Sequence, residues 1–245
     1  MAAGGLFIGT SGWNYPAWRA DFYEGVPQRK WLAHCAEHFT GIEVNGTFYR
    51  PFKPEIVARW FESTPDGFAF AAKGHRAVTH YSRLVNVGDS IARMREQMAP
   101  LDGKLAVVLW QLPPGLKQDL AVLESFAVSL EAWPETAHAI EFRHESWFDA
   151  ETEKILNAHR LANVISDAAR WPIWDAVTGR LAYVRLHGHD RTYASEYGAA
   201  GLKPWARRVK AWRHEGKSVH VYFDNDAEGA APRDAMKLIE MTGAD

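Results

Sequence analysis

The chain of 245 residues contains a single cysteine, Cys35. One thiol excludes an internal disulfide and any cysteine-based metal site. Cys35 lies in the helix-like stretch Trp31–His38, where a small buried side chain is the expectation. Excess positive charge is also missing: 28 basic and 30 acidic residues leave a net charge of −2. That balance argues against a globally basic nucleic-acid binder. No apolar run reaches the roughly 18 residues of a membrane span. The chain does not open on a basic segment followed by an apolar one, so the cytoplasm is the expected compartment. Linkers, repeats and low-complexity tracts are absent, and no strand candidate is followed by the Gly-rich phosphate fingerprint of dinucleotide-binding sheets.

What is there is an alternation. Short apolar runs at Leu6–Trp13, Gly41–Phe48, Phe68–Gly74, Leu105–Pro113, His138–His144, Asn163–Asp167, Leu181–Gly188 and Ser218–Asn225 read as strands. Between them, Gln28–Phe39, Pro54–Ser63, Gly88–Pro100, Gln118–Glu131, Glu151–Arg160, Lys203–Glu215 and Gly229–Met241 carry apolar residues at helical spacing. Strand–helix alternation implies parallel pairing, and eight strands imply closure into a single (β/α)8 TIM-type barrel spanning 1–245. Such barrels take about 250 residues. Polar landmarks near the strand ends recur at roughly the 30-residue length of a β/α unit. The step from Asp167 to His187 is too short for a full unit, so Ala168–Arg180, with Pro172 and Gly179, is expected to be a loop or a reduced helix. An open doubly wound sheet is the runner-up.

In a barrel, ligands bind where the strands end, and side chains alternate between the two faces of a strand. That rule places Glu43 with Asn45, Glu141 with Arg143, and Tyr183 with Arg185 and His187. Lys73 follows Ala69 and Ala71, and Asp167 follows Ile165. Gln111 ends the fourth strand, and Asp224 and Asn225 end the eighth. A lone strand-end Glu is usually an ion-pair partner or a helix cap. Glu-x-Asn, Glu-x-Arg and Arg-x-His converging on one mouth exceed what stability alone requires, because buried charges cost several kcal/mol each unless paired. A structural ion network closing the barrel top is the rival reading.

Glu43, Glu141 and Asp167 balance Lys73, Arg143 and Arg185. A divalent metal site favours net negative charge and several imidazoles, whereas His187 is the one clear inward His. No cofactor is expected, and a divalent metal is the lesser reading. A mixed network suits a polar or anionic small molecule, with arginines gripping carboxylate or phosphate and a Glu as general acid or base. Lys73 also invites Schiff-base chemistry, against the plainer expectation of a salt bridge to Glu43 or Glu141. Glu43 and Glu141, three strands apart, raise glycoside chemistry, where inversion needs about 6.5–9.5 Å between carboxyls. Trp13, Tyr15 and Trp18, Phe48 and Tyr49, Trp147, and Tyr193 and Tyr197 flank the mouth, either packing its loops or forming a stacking wall. His75 and His80 follow strand 3 as loop histidines.

Seven ordered blocks carry a wider pattern. They are Gly9-Thr10-Ser11-Gly12-Trp13, Glu43-Val44-Asn45-Gly46-Thr47-Phe48-Tyr49, Lys73 with Thr79-His80, and Gln111-Leu112-Pro113-Pro114. Glu141-Phe142-Arg143-His144 with Ser146-Trp147, Tyr183–Gly188 and Tyr222-Phe223-Asp224-Asn225 complete them. From about residue 6 to 240 the chain resembles the YecE-like family, domain-of-unknown-function family number 72. Asp224 stands where that family often has a first Asn of an Asn-Asn pair. The resemblance implies a TIM-type barrel and no particular reaction.

The leading expectation is therefore an acid–base enzyme (a hydrolase, lyase or isomerase) acting on a polar or anionic small molecule. Glu43 and Glu141 are its acid/base candidates. Lys73, Arg143 and Arg185 stabilise charge, and His187 is a proton shuttle. Trp13, Asn45, Tyr49, Gln111, Trp147, Asp167, Arg185 and Asn225 are the binding candidates. A non-catalytic module for a metabolite or single-stranded nucleic acid, and a metal-assisted hydrolase, are the alternatives; no membrane partner is expected.

Overall fold

The computed structural model describes residues 4–243. Residues 1–3, part of the opening read for a leader segment, lie outside the described residues, as do 244–245. Eight parallel strands form one sheet in the order β1-β8-β7-β6-β5-β4-β3-β2. They are β1 (Leu6–Thr10), β2 (Gly41–Val44), β3 (Ala69–Lys73), β4 (Leu105–Gln111), β5 (Ala137–Glu141), β6 (Ala162–Asp167), β7 (Leu181–Leu186) and β8 (Ser218–Phe223). β1 and β2 meet through a parallel bridge from Ser11 to Glu43, and the Thr40 hydroxyl accepts from Ile8 N at 2.9 Å. The seam is tight: a Cβ on Gly9 would sit 1.9 Å from the Gly41 carbonyl oxygen. The barrel reading stands, and the open sheet falls with it.

The helices are α1 (Trp31–His38), α2 (Gly46–Tyr49), α3 (Pro54–Glu62), α4 (Gly88–Met98), α5 (Leu120–Leu130), α6 (Ala150–Ala158), α7 (Gly198–His214) and α8 (Ala230–Thr242). Most element ends shift by one to three residues from the sequence reading, and two shift further. The β2 run stops at Val44, and the next residues turn into α2 because the Thr47 hydroxyl donates to the carbonyls of Val44 and Lys73. α7 begins at Gly198 rather than Lys203, because the Asp234 carboxylate accepts from the backbone N–H of Tyr197 and Gly198, satisfying orphan donors of its first turn. Among the described residues no helix lies between β6 and β7. Among them too, no helix is long and apolar enough to cross a membrane.

Packing follows strand alternation. Ile8, Ile42, Phe70, Val108, Trp110, Ile140, Ile165, Val184 and Val221 face outward into the helix layer. Ala71, Val107, Leu109, Ala139, Ala162, Val164, Leu181, Tyr183 and Tyr222 fill the barrel interior. The interior alanines leave volume for two tyrosines. One step toward the carboxyl ends, the same inward face carries Ser11, Glu43, Lys73, Gln111, Glu141, Ser166, Arg185 and Asp224, as the strand registers require. A polar layer thus sits directly on the apolar one.

Candidate functional site

Arg185 is the centre of that layer and is 1 % exposed. Its Nε donates to both Glu43 oxygens at 3.1 and 3.0 Å. Nη1 donates to Glu141 at 2.9 Å and to His187 Nε2 at 2.9 Å. Nη2 donates to Glu43 at 2.7 Å, Asp224 at 2.9 Å and the Ser11 hydroxyl at 3.1 Å. A guanidinium offers five N–H donors in a fixed fork, and all have partners here. Glu43 is equally occupied: Tyr183 donates to it at 2.6 Å, and Ser11 donates in a short bond. His187 Nε2 stands between Arg185 Nη1 and the Asp224 carboxylate, the latter 3.1 Å away; burial and the Arg185 charge push its pKa down, and the Asp224 contact opposes them.

The other cations are placed differently. Arg143 sits over the Trp171 ring, with Cζ 3.6 Å from the centroid. Its Nη2 is 2.5 Å from Glu141. Trp171 comes from the segment between β6 and β7, donates to Ser166 at 3.0 Å and stands edge-on to His187. The missing helix is thus exchanged for a loop that covers the mouth. Lys73 points its ammonium over the Phe48 ring at 4.7 Å. The expected salt bridge to Glu43 or Glu141 does not form, since Arg185 and Arg143 hold those carboxylates. Burial, then the Arg185 charge, lowers Lys73 to about 8.

The acids divide into two groups. Burial opposes ionisation of Glu141, yet Arg143, Arg185 and His187 hold it well below the usual carboxylate range. Asp224 is likewise held down by Arg185 and His187 against burial. Asp226, in the turn just beyond β8, goes the other way: burial and the Asp224 charge raise it well above its ordinary value. An ionised carboxylate beside a protonated one is how two acids share a desolvated site.

Among the described residues, buried side-chain atoms without a hydrogen-bond partner include Asn163 Oδ1, Thr192 Oγ1 and Asn225 Oδ1 and, in the mouth, Asn45 Oδ1, Glu141 Oε1, Arg143 Nε and Asp226 Oδ1. Glu141 Oε1 is within ion-pair distance of Arg143 but off the direction of its N–H bonds. Unmade buried hydrogen bonds cost about 1–3 kcal/mol each, so a cluster of them calls for an explanation. Asn45 Nδ2 donates to the Ser11 hydroxyl at 2.7 Å, which fixes its orphan oxygen.

Three sequence-derived candidates point elsewhere. Asp167 pairs in register with Leu186 on the outward face and accepts from Tyr197 at 2.9 Å; Ser166 is the inward residue of β6. Asn225 is outward too, donating to Asp234 and Ser195. Trp147 packs behind the barrel against Phe142, its indole N–H on the Leu116 carbonyl at 2.8 Å. Gln111 keeps an inward, half-buried place. Trp13 packs edge-on to Trp60, and Tyr49 is a 60 % exposed rim residue. Ser11, Trp171 and Asp226 were not singled out by sequence. Asp226 lies in the turn beyond β8, where strand alternation no longer applies. Ser11 had only its place in a motif block, and nothing in the loop marked Trp171.

Residues 7–245 match the family model described as "Protein of unknown function DUF72". The chain is 32 % identical to the protein YecE of Escherichia coli over 154 residues, 62 % of this chain and 54 % of YecE, so the match spans about half of that relative's length. It is 24 % identical to the protein YunF of Bacillus subtilis, over 96 % of this chain and 94 % of YunF. A DUF72 family structure from Thermotoga maritima superposes with a TM-score of 0.86 at 26 % identity, covering 97 % and 98 % of the two chains. A DUF72 family structure from Enterococcus faecalis gives 0.84 at 20 % identity over 97 % and 95 %, a likeness of fold.

Proposed function

This chain belongs to the DUF72 family, and we propose that its barrel mouth performs general acid–base chemistry on a polar or anionic small molecule. The observation that carries this reading is the set of four orphaned polar atoms, at or just beyond the ends of β2, β5 and β8, around one mouth. A polar ligand satisfies such atoms, and their concentration around one mouth is what favours a ligand over a purely structural ion network.

The roles follow from availability. Arg185 and Glu43 are saturated by each other and by Ser11 and Tyr183, so they hold the floor rigid and do not reach substrate. Arg143 has a free Nε–H and a planar face fixed by Trp171, which suits it to a carboxylate or phosphate. Asp226, protonated beside ionised Asp224, is the general acid. Lys73, unpaired and lowered toward neutrality, supplies positive charge or, deprotonated, the base; a pKa near the working pH is what such a group needs. His187 and Glu141 fix the guanidinium planes around it. A second reading rests on Lys73 alone: an unpaired, desolvated amine also suits carbinolamine and Schiff-base formation with a carbonyl, releasing water. Borohydride trapping of a substrate adduct on Lys73 separates the two.

Arg143 gives the direct test. Millimolar phosphate or a small dicarboxylate should raise the melting temperature of the wild type by several degrees, since a ligand at about 100 times its Kd contributes about 2.7 kcal/mol. Arg143→Met should abolish that shift. Equal shifts in both proteins, or none from any anion, would sink the proposal.

A further inference from the structure

The last turn of α1 carries a second cluster of chemistry-bearing groups, His34, Glu37 and His38, one ligand atom from each lying within 4.8 Å of the others. We propose that this turn binds a borderline divalent transition-metal ion, with Zn2+ the best fit, through His34 Nδ1, the Glu37 carboxylate and an imidazole nitrogen of His38.

Spacing comes first. Positions i, i+3 and i+4 share one helix face; the two rings stand 4.7 Å apart and the Glu37 carboxylate is 3.6 Å from His34 Nδ1. The tautomer of His34 is also set. Its Nε2 is 2.8 Å from the Phe22 carbonyl oxygen, which can only accept, so Nε2 carries the proton and Nδ1 is left bare toward the cluster. Metal-ligating histidines are held in this way, by donating the other N–H to a carbonyl or carboxylate. His38 is steadied by Phe22, with ring centroids 5.5 Å apart. The end of a helix is a favourable place for a cation, because its free carbonyls leave it negative.

Two imidazoles and one carboxylate select Zn2+, Ni2+ or Cu2+ over Mg2+ and Ca2+. Tetrahedral zinc at bond lengths near 2.1 Å needs ligand atoms about 3.4 Å apart. The cluster must tighten by up to about 1.4 Å, which the exposed Glu37 and His38 side chains provide by rotation. Three protein ligands leave a coordination position for water. This site is separate from the mouth: α1 runs from the carboxyl end of β1 to the amino end of β2, so its last turn lies at the opposite end of the barrel. A metal there pins α1 to the β1–α1 connection through the His34–Phe22 hydrogen bond.

The test is titration of the full chain with Zn2+ by calorimetry, alongside melting of the same samples. The wild type should bind one equivalent and melt higher with Zn2+, and Mg2+ should do neither. His38→Ala should melt like the wild type without metal. It should weaken Zn2+ binding by at least the roughly 10–100-fold that even outer-shell partners are worth, and Glu37→Gln should weaken it as well. No binding, one equivalent bound as tightly by His38→Ala, or the same stabilisation by Mg2+ would each overturn the proposal.

Discussion

Arg185→Met should destabilise the protein by about 3–5 kcal/mol at pH 7, the cost of breaking a buried ion pair by removing one partner. For a chain of this size that lowers the melting temperature by on the order of 10 °C. The reason is geometric: Glu43, Glu141 and Asp224 converge on one guanidinium, and without it three buried carboxylates face each other. Arg185→Lys should recover little, because an ammonium cannot supply the fork that reaches all three. The pH dependence has opposite signs in the two proteins. In the wild type, Glu141 and Asp224 have folded pKa values below their unfolded ones. Their contribution is present above about pH 4 and is lost as pH falls through the folded values. In the variant the crowded carboxylates bind protons more readily than when unfolded, so the deficit shrinks between pH 7 and pH 5. Melts at the two pH values check this; a variant melting within about 2 °C of wild type would show that Arg185 does not hold the three carboxylates together.

The second large effect concerns chemistry. Asp226→Asn should lower turnover of any anionic substrate of this mouth by roughly 10²–10⁴-fold, the usual worth of a positioned acid or base, without unfolding the protein. The same variant should be more stable than the wild type above about pH 4. A carboxyl raised on folding contributes stability below its unfolded pKa, which is lost as pH rises through the folded value. Asparagine removes that loss, so the gap should open as pH rises from 4. Turnover retained in Asp226→Asn, or a lower melting temperature at pH 7, would move the acid elsewhere.

Sequence reading reached the barrel because β/α alternation writes two different periods into one chain, and each is visible locally. Period two also revealed Glu43, Lys73, Glu141, Arg143, Arg185 and His187, since each sits on the apolar-small face of its own strand. It failed where the strand's phase was set from its last polar residue. In β6 the inward residues are Ala162, Val164 and Ser166, so Asp167 turns out; in β8 adjacent Asp224 and Asn225 cannot both face in. Closure was beyond local patterns. Arg185 meets Glu43 across 142 positions of sequence, and only the folded barrel shows that this pair is consumed while Lys73 is left free. Trp171 sits in a loop with no periodicity, and its role follows from the ring lying on Arg143.

In the proposed mechanism the mouth holds a protonated carboxyl, Asp226, beside an ionised one, Asp224, poised for proton transfer. Carbon-13 NMR titration of the Asp side-chain carboxyls, assigned with Asp226→Asn and Asp224→Asn, tests it most directly. Asp226 should titrate well above the ordinary value of about 3.9, and replacing Asp224 should move its midpoint down. An Asp226 that titrates at or below the ordinary value, unmoved by Asp224→Asn, would contradict it.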